Sequence, residues 1–277
     1  MIRLTLLLLL ITTSVIGQNF KGKATYKSYR KVDIEIGESH GGNSKIQKQL
    51  QEQLKKQFQQ TYTLNFNKSE SVYTQNKKLS TPQAIGGNEV RIVSIGGGGG
   101  SDILYKNIAD KRYVNKTEIS GKRFLIKDKL EDYGWEMTSE TKNIGNYTCY
   151  KAVRKREETR TSFTMTDGKR EEKKDKITVE TVAWYTLQIP LSNGPGEFWG
   201  LPGLILEIQD GKLTIACTEI VMNSSDKIEI KEPTKGKKVT QEKFDKIMDE
   251  HSKDMMERFK NKRKSKDGNS FSIEIQG

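Results

Sequence analysis

Histidine is scarce in this chain, and that scarcity bounds the chemistry it can do: His40 and His251 are the only two in 277 residues. His40 follows Asp33, Glu35 and Glu38, an imidazole and carboxylate grouping on a loop-like stretch. Zinc wants three or four convergent ligands, and His251 falls on the apolar stripe of a candidate helix, where packing accounts for it. The expectation is no metal and no cofactor. Glu207, Asp210 and Glu219 flank a turn. Paired carboxylates can move protons, and with a bound ion they would make this a metal-dependent hydrolase or peptidase, the alternative reading. Alternation along the run instead puts Glu207 and Asp210 at a sheet edge. Ser192, Ser224 and Ser225 have no adjacent base, and no Gly-x-Ser-x-Gly elbow occurs. Cys149 sits in a β-like run without a His partner. No residue is assigned a catalytic role.

Binding chemistry is better represented. Trp184, Tyr185, Phe198 and Trp199 surround Pro190, Pro195 and Pro202, and the corner Gly200-Leu201-Pro202-Gly203 follows. Rigid prolines and large rings lose little entropy on contact, so Trp184, Tyr185, Pro195, Phe198, Trp199, Leu201 and Pro202 are the candidate rim for a ligand or partner. The competing reading is that they staple a long loop to a sheet. Cys149 and Cys217 are the only cysteines. A bridge between them would close a loop worth about 4 kcal/mol in the chain-entropy model; two unrelated buried thiols is the other option. Four Asn-x-Ser/Thr triplets, at Asn67, Asn115, Asn146 and Asn223, matter only in a host that glycosylates them.

These residues need elements to position them. Phe20–Ile36 reads as one or two strands, with Val32, Ile34 and Ile36 alternating. Ile46, Leu50, Leu54 and Phe58 form a narrow helical stripe. Tyr62, Leu64 and Phe66 alternate again. Gly96–Gly100 lies in a loop, with neither the preceding strand nor the following helix and Lys that a phosphate cradle requires. Short strands are expected at Ile103–Lys106, Arg112–Val114, Arg123–Lys127 and Trp135–Met137. Asn146–Arg156 and Ile177–Leu187 form a hairpin-like pair around a charged tip, and Ile205–Ile208 joins Leu213–Val221 across Asp210-Gly211. Thr240 can cap a helix carrying Phe244, Ile247, Met248, His251, Met255 and Phe259. Phe271, Ile273 and Ile275 close with a last alternating strand. The sum is a mostly β (α+β) fold: a curved antiparallel sheet or half-barrel with two packed helices.

Charge and the amino end bound the setting. Net charge is +12, concentrated in mixed-sign runs within Lys151–Lys176 and in the basic segment Arg258–Lys266. Mixed runs usually mark a solvated surface, and no nucleic-acid module is visible, so no nucleic-acid partner is expected. Arg3, the apolar run Leu4–Ile11, and small Gly17 fit a signal peptide on residues 1–17 cut before Gln18. The run is shorter than the roughly 20 residues a membrane helix needs, and no later segment is apolar enough to span. The expected product is exported, periplasmic or extracellular, with residues 18–277 as one domain.

One resemblance adds to this. Trp135, Glu140–Ala152, Ala183-Trp184-Tyr185-Thr186, Ile189-Pro190, Gly194-Pro195, Phe198 and Gly200–Ile205 resemble, in order and spacing, the GLPGLI family. The resemblance implies an exported protein of Bacteroidetes-type bacteria without established activity. The Lys- and Glu-rich insertion between Ala152 and Val182, the Ile46–Phe58 stripe and the polyglycine run depart from that pattern. The resulting expectation is a non-catalytic binding, carrier or accessory protein of the envelope. Its partner would be a small apolar or metal-containing ligand, or an outer-membrane protein. The Trp184–Leu204 loop would be the rim, and Phe244, Met248, Met255 and Phe259 the lid.

Overall fold

The computed structural model describes residues 20–31, 59–76, 103–166, 169–223 and 228–263, without the side chains of 160–173, 256 and 258–263. Strands are β1 (Lys21–Arg30), β2 (Gln60–Asn67), β3 (Glu70–Gln75), β4 (Ile103–Asn107), β5 (Arg112–Ile119) and β6 (Lys122–Lys129). They continue with β7 (Glu136–Ile144), β8 (Tyr147–Thr166), β9 (Lys169–Thr186), β10 (Leu204–Asp210), β11 (Leu213–Met222) and β12 (Lys237–Val239). One helix, α1 (Gln241–Arg263), is found among the described residues. The mostly β expectation holds, and of the two expected helices the carboxy-terminal one is present; the Ile46–Phe58 stripe, His40, the polyglycine run, the amino-terminal segment and the last strand lie outside the described residues.

All twelve strands form one sheet, ordered β12-β6-β5-β4-β3-β2-β1-β11-β10-β9-β8-β7. Pairings are antiparallel except β12 on β6, which is parallel. The chain walks outward from β1 to β6, crosses to β7 at the other end, and walks back until β11 closes on β1. That crossing constrains the shape. Lys129 and Glu136 are joined by a span of at most about 25 Å, yet β6 and β7 are ten strand spacings apart, about 48 Å in a flat sheet. The sheet must curl until its two ends approach. A β-bulge at Thr25/Tyr26 and another at Ile205/Glu207 sit in its middle strands, where bulges add bend and twist.

The main core fills the concave side. Ala24, Tyr26, Leu64 and Phe66 come from β1 and β2, Leu104, Tyr113 and Ile126 from β4–β6, and Ala152, Ala183 and Ile208 from β8–β10. Period-2 alternation drives this: in β1 every second residue from Gly22 to Ser28 is buried. A smaller cluster of Val72, Tyr105, Val114 and Leu125 lies on the other face, covered by Ile230. Glu232, next to that cover, pairs with Arg112 at 2.9 Å and Lys127 at 2.8 Å. Those hydrogen bonds, Lys127 foremost, lower the Glu232 pKa against its partial burial.

One local expectation changes. The charged tip between Asn146–Arg156 and Ile177–Leu187 is strand, paired from Tyr150↔Tyr185 out to Thr166↔Lys169. β10 reaches only Thr181 of β9, and β7 reaches only Val153 of β8, so the ribbon outruns both neighbours. Cys149 on β8 and Cys217 on β11 are free thiols, with β9 and β10 between their strands. Desolvation pushes both thiols up to about 11.

Candidate functional site

The Gly/Pro corner is built by packing. Gly200 has φ +95, a left-handed conformation that favours glycine. A Cβ on Gly203 would stand 2.0 Å from the Thr186 carbonyl oxygen, so only hydrogen fits there. Between them Leu201 is buried and Pro202 exposed, and Leu204 and Ile205 enter the core. The Leu204 amide donates to the Ile189 carbonyl at 2.9 Å, and the Ile205 amide to the Asn193 carbonyl at 2.9 Å. Tyr26 Oη donates to the Ile205 carbonyl at 2.8 Å, tying the corner to the central strand.

The loop leading into the corner is held by a buried lysine. Lys106 of β4 is fully buried, and its Nζ donates to the carbonyls of Gly194 (2.8 Å), Gly196 (2.7 Å) and Phe198 (3.1 Å). Burial pulls the Lys106 pKa down to about 7, with Glu197 pulling it back up. Three carbonyls match the three N–H bonds of the ammonium form, whereas a neutral amine could donate to only two. Asn193 adds a second tie, donating from Nδ2 to Ser71 Oγ at 2.8 Å.

This tethered loop forms one wall of a cavity of about 520 Å³. The second wall is the β6–β7 crossing, which brings Leu130, Glu131, Asp132 and Tyr133. The third is the first turn of α1, with Gln241, Glu242 and Asp245. Asp128 positions that turn, accepting from the Gln241 amide at 3.0 Å, while Tyr113 Oη donates to Gln241 Oε1 at 2.9 Å. Trp199 Nε1 donates to the Glu131 carbonyl at 2.9 Å, and Trp135 Nε1 to the Trp199 carbonyl at 2.8 Å, joining loop to crossing. Tyr133 stacks on Trp135 at 5.4 Å and leans on Phe198 at 5.6 Å, with Arg154 4.7 Å from its ring centroid.

The cavity is negative. Desolvation raises the Glu197 pKa, Lys106 opposing and Asp245 adding to the rise. The Tyr113 and Tyr133 hydroxyls are raised too, first by burial and then by carboxylates, Glu197 leading in both cases.

The sequence-selected rim divides. Trp199 lines the cavity, and Phe198 abuts it through Tyr133. Tyr185, Pro195 and Leu201 are buried, Pro202 is exposed away from the lining, and Trp184 holds Lys142 at 4.4 Å from its ring. Burial of Tyr185, Pro195 and Leu201 fits the stapling reading for those three. In the lid, Phe244 packs edge-on to Phe124 at 5.7 Å, and Met248 and Met255 are half-buried; the Phe259 side chain is outside the described set. The carboxylates of the hydrolase reading do not converge. Glu207 pairs with Lys142 at 2.7 Å, Asp210 with Arg156 at 2.7 Å and with Thr181, and Glu219 accepts from Thr25. His251 Nε2 meets Ser120 Oγ at 2.9 Å. Among the described residues no three His, Cys, Asp or Glu side chains form a metal-binding group.

Residues 135–207 match a family described as a protein of unknown function (Porph_ging). No curated protein matches the chain. Two solved structures of PNGF-II, in the C2 and P21 space groups, resemble it at 11% and 12% identity, with TM-scores of 0.46 and 0.47. They cover 83% and 84% of this chain, and 32% and 34% of their own, so this chain spans about a third of their length.

Proposed function

We propose that this is an exported, single-domain binding protein of the bacterial envelope, of GLPGLI type, whose ligand occupies the cavity between the tethered loop, the β6–β7 crossing and the start of α1. The observation that carries it is Lys106: its buried Nζ lies within hydrogen-bond distance of three carbonyls and fixes the Gly194–Phe198 loop as that wall. A rigid wall lowers the entropy lost on contact, and about 520 Å³ falls within the range of small-molecule and side-chain sites. Support for the family reading comes from the match over 135–207, which contains the Trp135 and Gly200–Ile205 blocks. The ionic pairing of Glu207 and Asp210 argues for binding rather than hydrolysis. The charged side chains of the lining support a polar ligand over the apolar one among the expected alternatives.

The test is native mass spectrometry of protein taken from its own cells, beside a Lys129→Trp variant. Lys129 is an exposed lining residue, so an indole there narrows the cavity without replacing a core side chain. An additional mass on the wild type that is lost from the folded variant supports the reading. The same additional mass on both, or none on either, overturns it.

A further inference from the structure

Six carboxylates line the cavity: Asp128, Glu131, Asp132, Glu197, Glu242 and Asp245. Their partners decide what the cavity is short of. Glu242 is paired with Lys246 at 2.7 Å. Asp128, Asp132 and Asp245 accept from neutral groups, the Gln241 amide, the Gly134 amide and Gln241 Nε2. The carboxylates of Glu131 and Glu197 have no hydrogen bond or ion pair among the described residues. Against these five stand three cations on the lining. Hydrogen bonds to carbonyls and the Tyr133 ring hold Lys106 and Arg154 in place without cancelling their charge, and carboxylates still outnumber cations on the lining.

The arrangement also says which kind of positive charge is missing. No three acidic or His/Cys side chains converge as a metal set among the described residues, and the volume is many times that of a bare ion. Carboxylates dispersed around aromatic walls suit a cation that is itself extended, carries several N–H donors and presents apolar carbon to rings. Tyr113, Tyr133 and Trp199 supply those rings. Resting on the proposed ligand cavity, we infer that its ligand is an organic cation, an ammonium or guanidinium group that enters between Glu197 and Glu131. The source is either a free amine or the Lys or Arg side chain of a peptide.

The experiment is calorimetric titration of the mature chain. The probes are spermidine, N-acetyl-Lys-Ala-Lys-amide and, as the counter-probe, N-acetyl-Glu-Ala-Glu-amide. Binding of a cationic probe and not of the acidic one is expected, weakening as salt rises. Spermidine alone binding marks a free-amine site, and the Lys peptide alone a peptide site. In Glu131→Gln/Glu197→Gln, affinity should fall at least tenfold while the sheet stays folded, because both side chains are exposed and neither carboxylate makes a hydrogen bond or ion pair among the described residues. Equal binding of the acidic peptide, unchanged affinity in the double variant, or no binding of either cation overturns the inference. Lys129→Trp removes a lining cation as it blocks the cavity, so loss of a bound mass there reports the block and not weaker attraction of a cation, and an occupied cavity without cation preference would refute only this step.

Discussion

Replacing Lys106 with methionine keeps the unbranched stem, one atom shorter, and removes its charge and all of its donors. The carbonyls of Gly194, Gly196 and Phe198 then lose bonds of 2.8, 2.7 and 3.1 Å with no donor to replace them. An unsatisfied buried polar group costs about 1–3 kcal/mol. Only the Gly194 bond is fully buried, and removing a desolvated ammonium returns part of the loss. The net is a destabilisation of about 3–5 kcal/mol, comparable to breaking a buried ion pair. For a domain of this size that lowers the thermal midpoint by roughly 10 °C. Differential scanning calorimetry reads the midpoint, and amide exchange at 194–199 reads the loop. The reasoning fails if Lys106→Met costs under about 1 kcal/mol, or if exchange at 194–199 is unchanged.

Three further outcomes follow from the same geometry. With the Lys106 pKa near 7 when folded, against about 10.5 when unfolded, the unfolded chain binds more protons between those values, so stability gained from this group rises with pH across that window. Urea midpoints should show that rise in the wild type and not in Lys106→Met. Gly203→Ala should cost more than about 3 kcal/mol, because its methyl would overlap a backbone carbonyl, while Gly200→Ala should cost only about 1–2 kcal/mol of φ strain; calorimetry of both checks the order. Thiol titration should find two free thiols in denaturant, with half-buried Cys217 reacting before buried Cys149 in the native state, and zero thiols would establish the bridge instead.

Much of the sheet was legible because alternation is a local property. β2, β10 and the Asp210-Gly211 hairpin follow from neighbouring residues alone, and Gly211 takes the expected positive φ of 56. The corner was legible for the same reason, since glycine at 200 and 203 answers local geometry. The curl was not, because it depends on strand order: nothing near Leu130 says that a short crossing joins opposite ends of the sheet. The cavity inherits that blindness, as its walls come from segments far apart in sequence. Lys106 left one trace, sharing a face with Leu104 in an apolar strand, but its acceptors lie nearly ninety residues on. How the aromatic rim divides was not legible, because large rings beside prolines look alike whether they meet a ligand or the protein's own sheet. Tyr185 and Leu201 went to the core, and only Trp199 faces the cavity.

The most direct measurement is a crystal structure of the mature protein soaked with whichever cationic probe binds more tightly. An ammonium or guanidinium seated among Glu131, Glu197 and the Tyr133 ring, with the Lys106 tether intact, is the predicted result. A probe bound elsewhere on the molecule, with the cavity holding only solvent, would contradict the account.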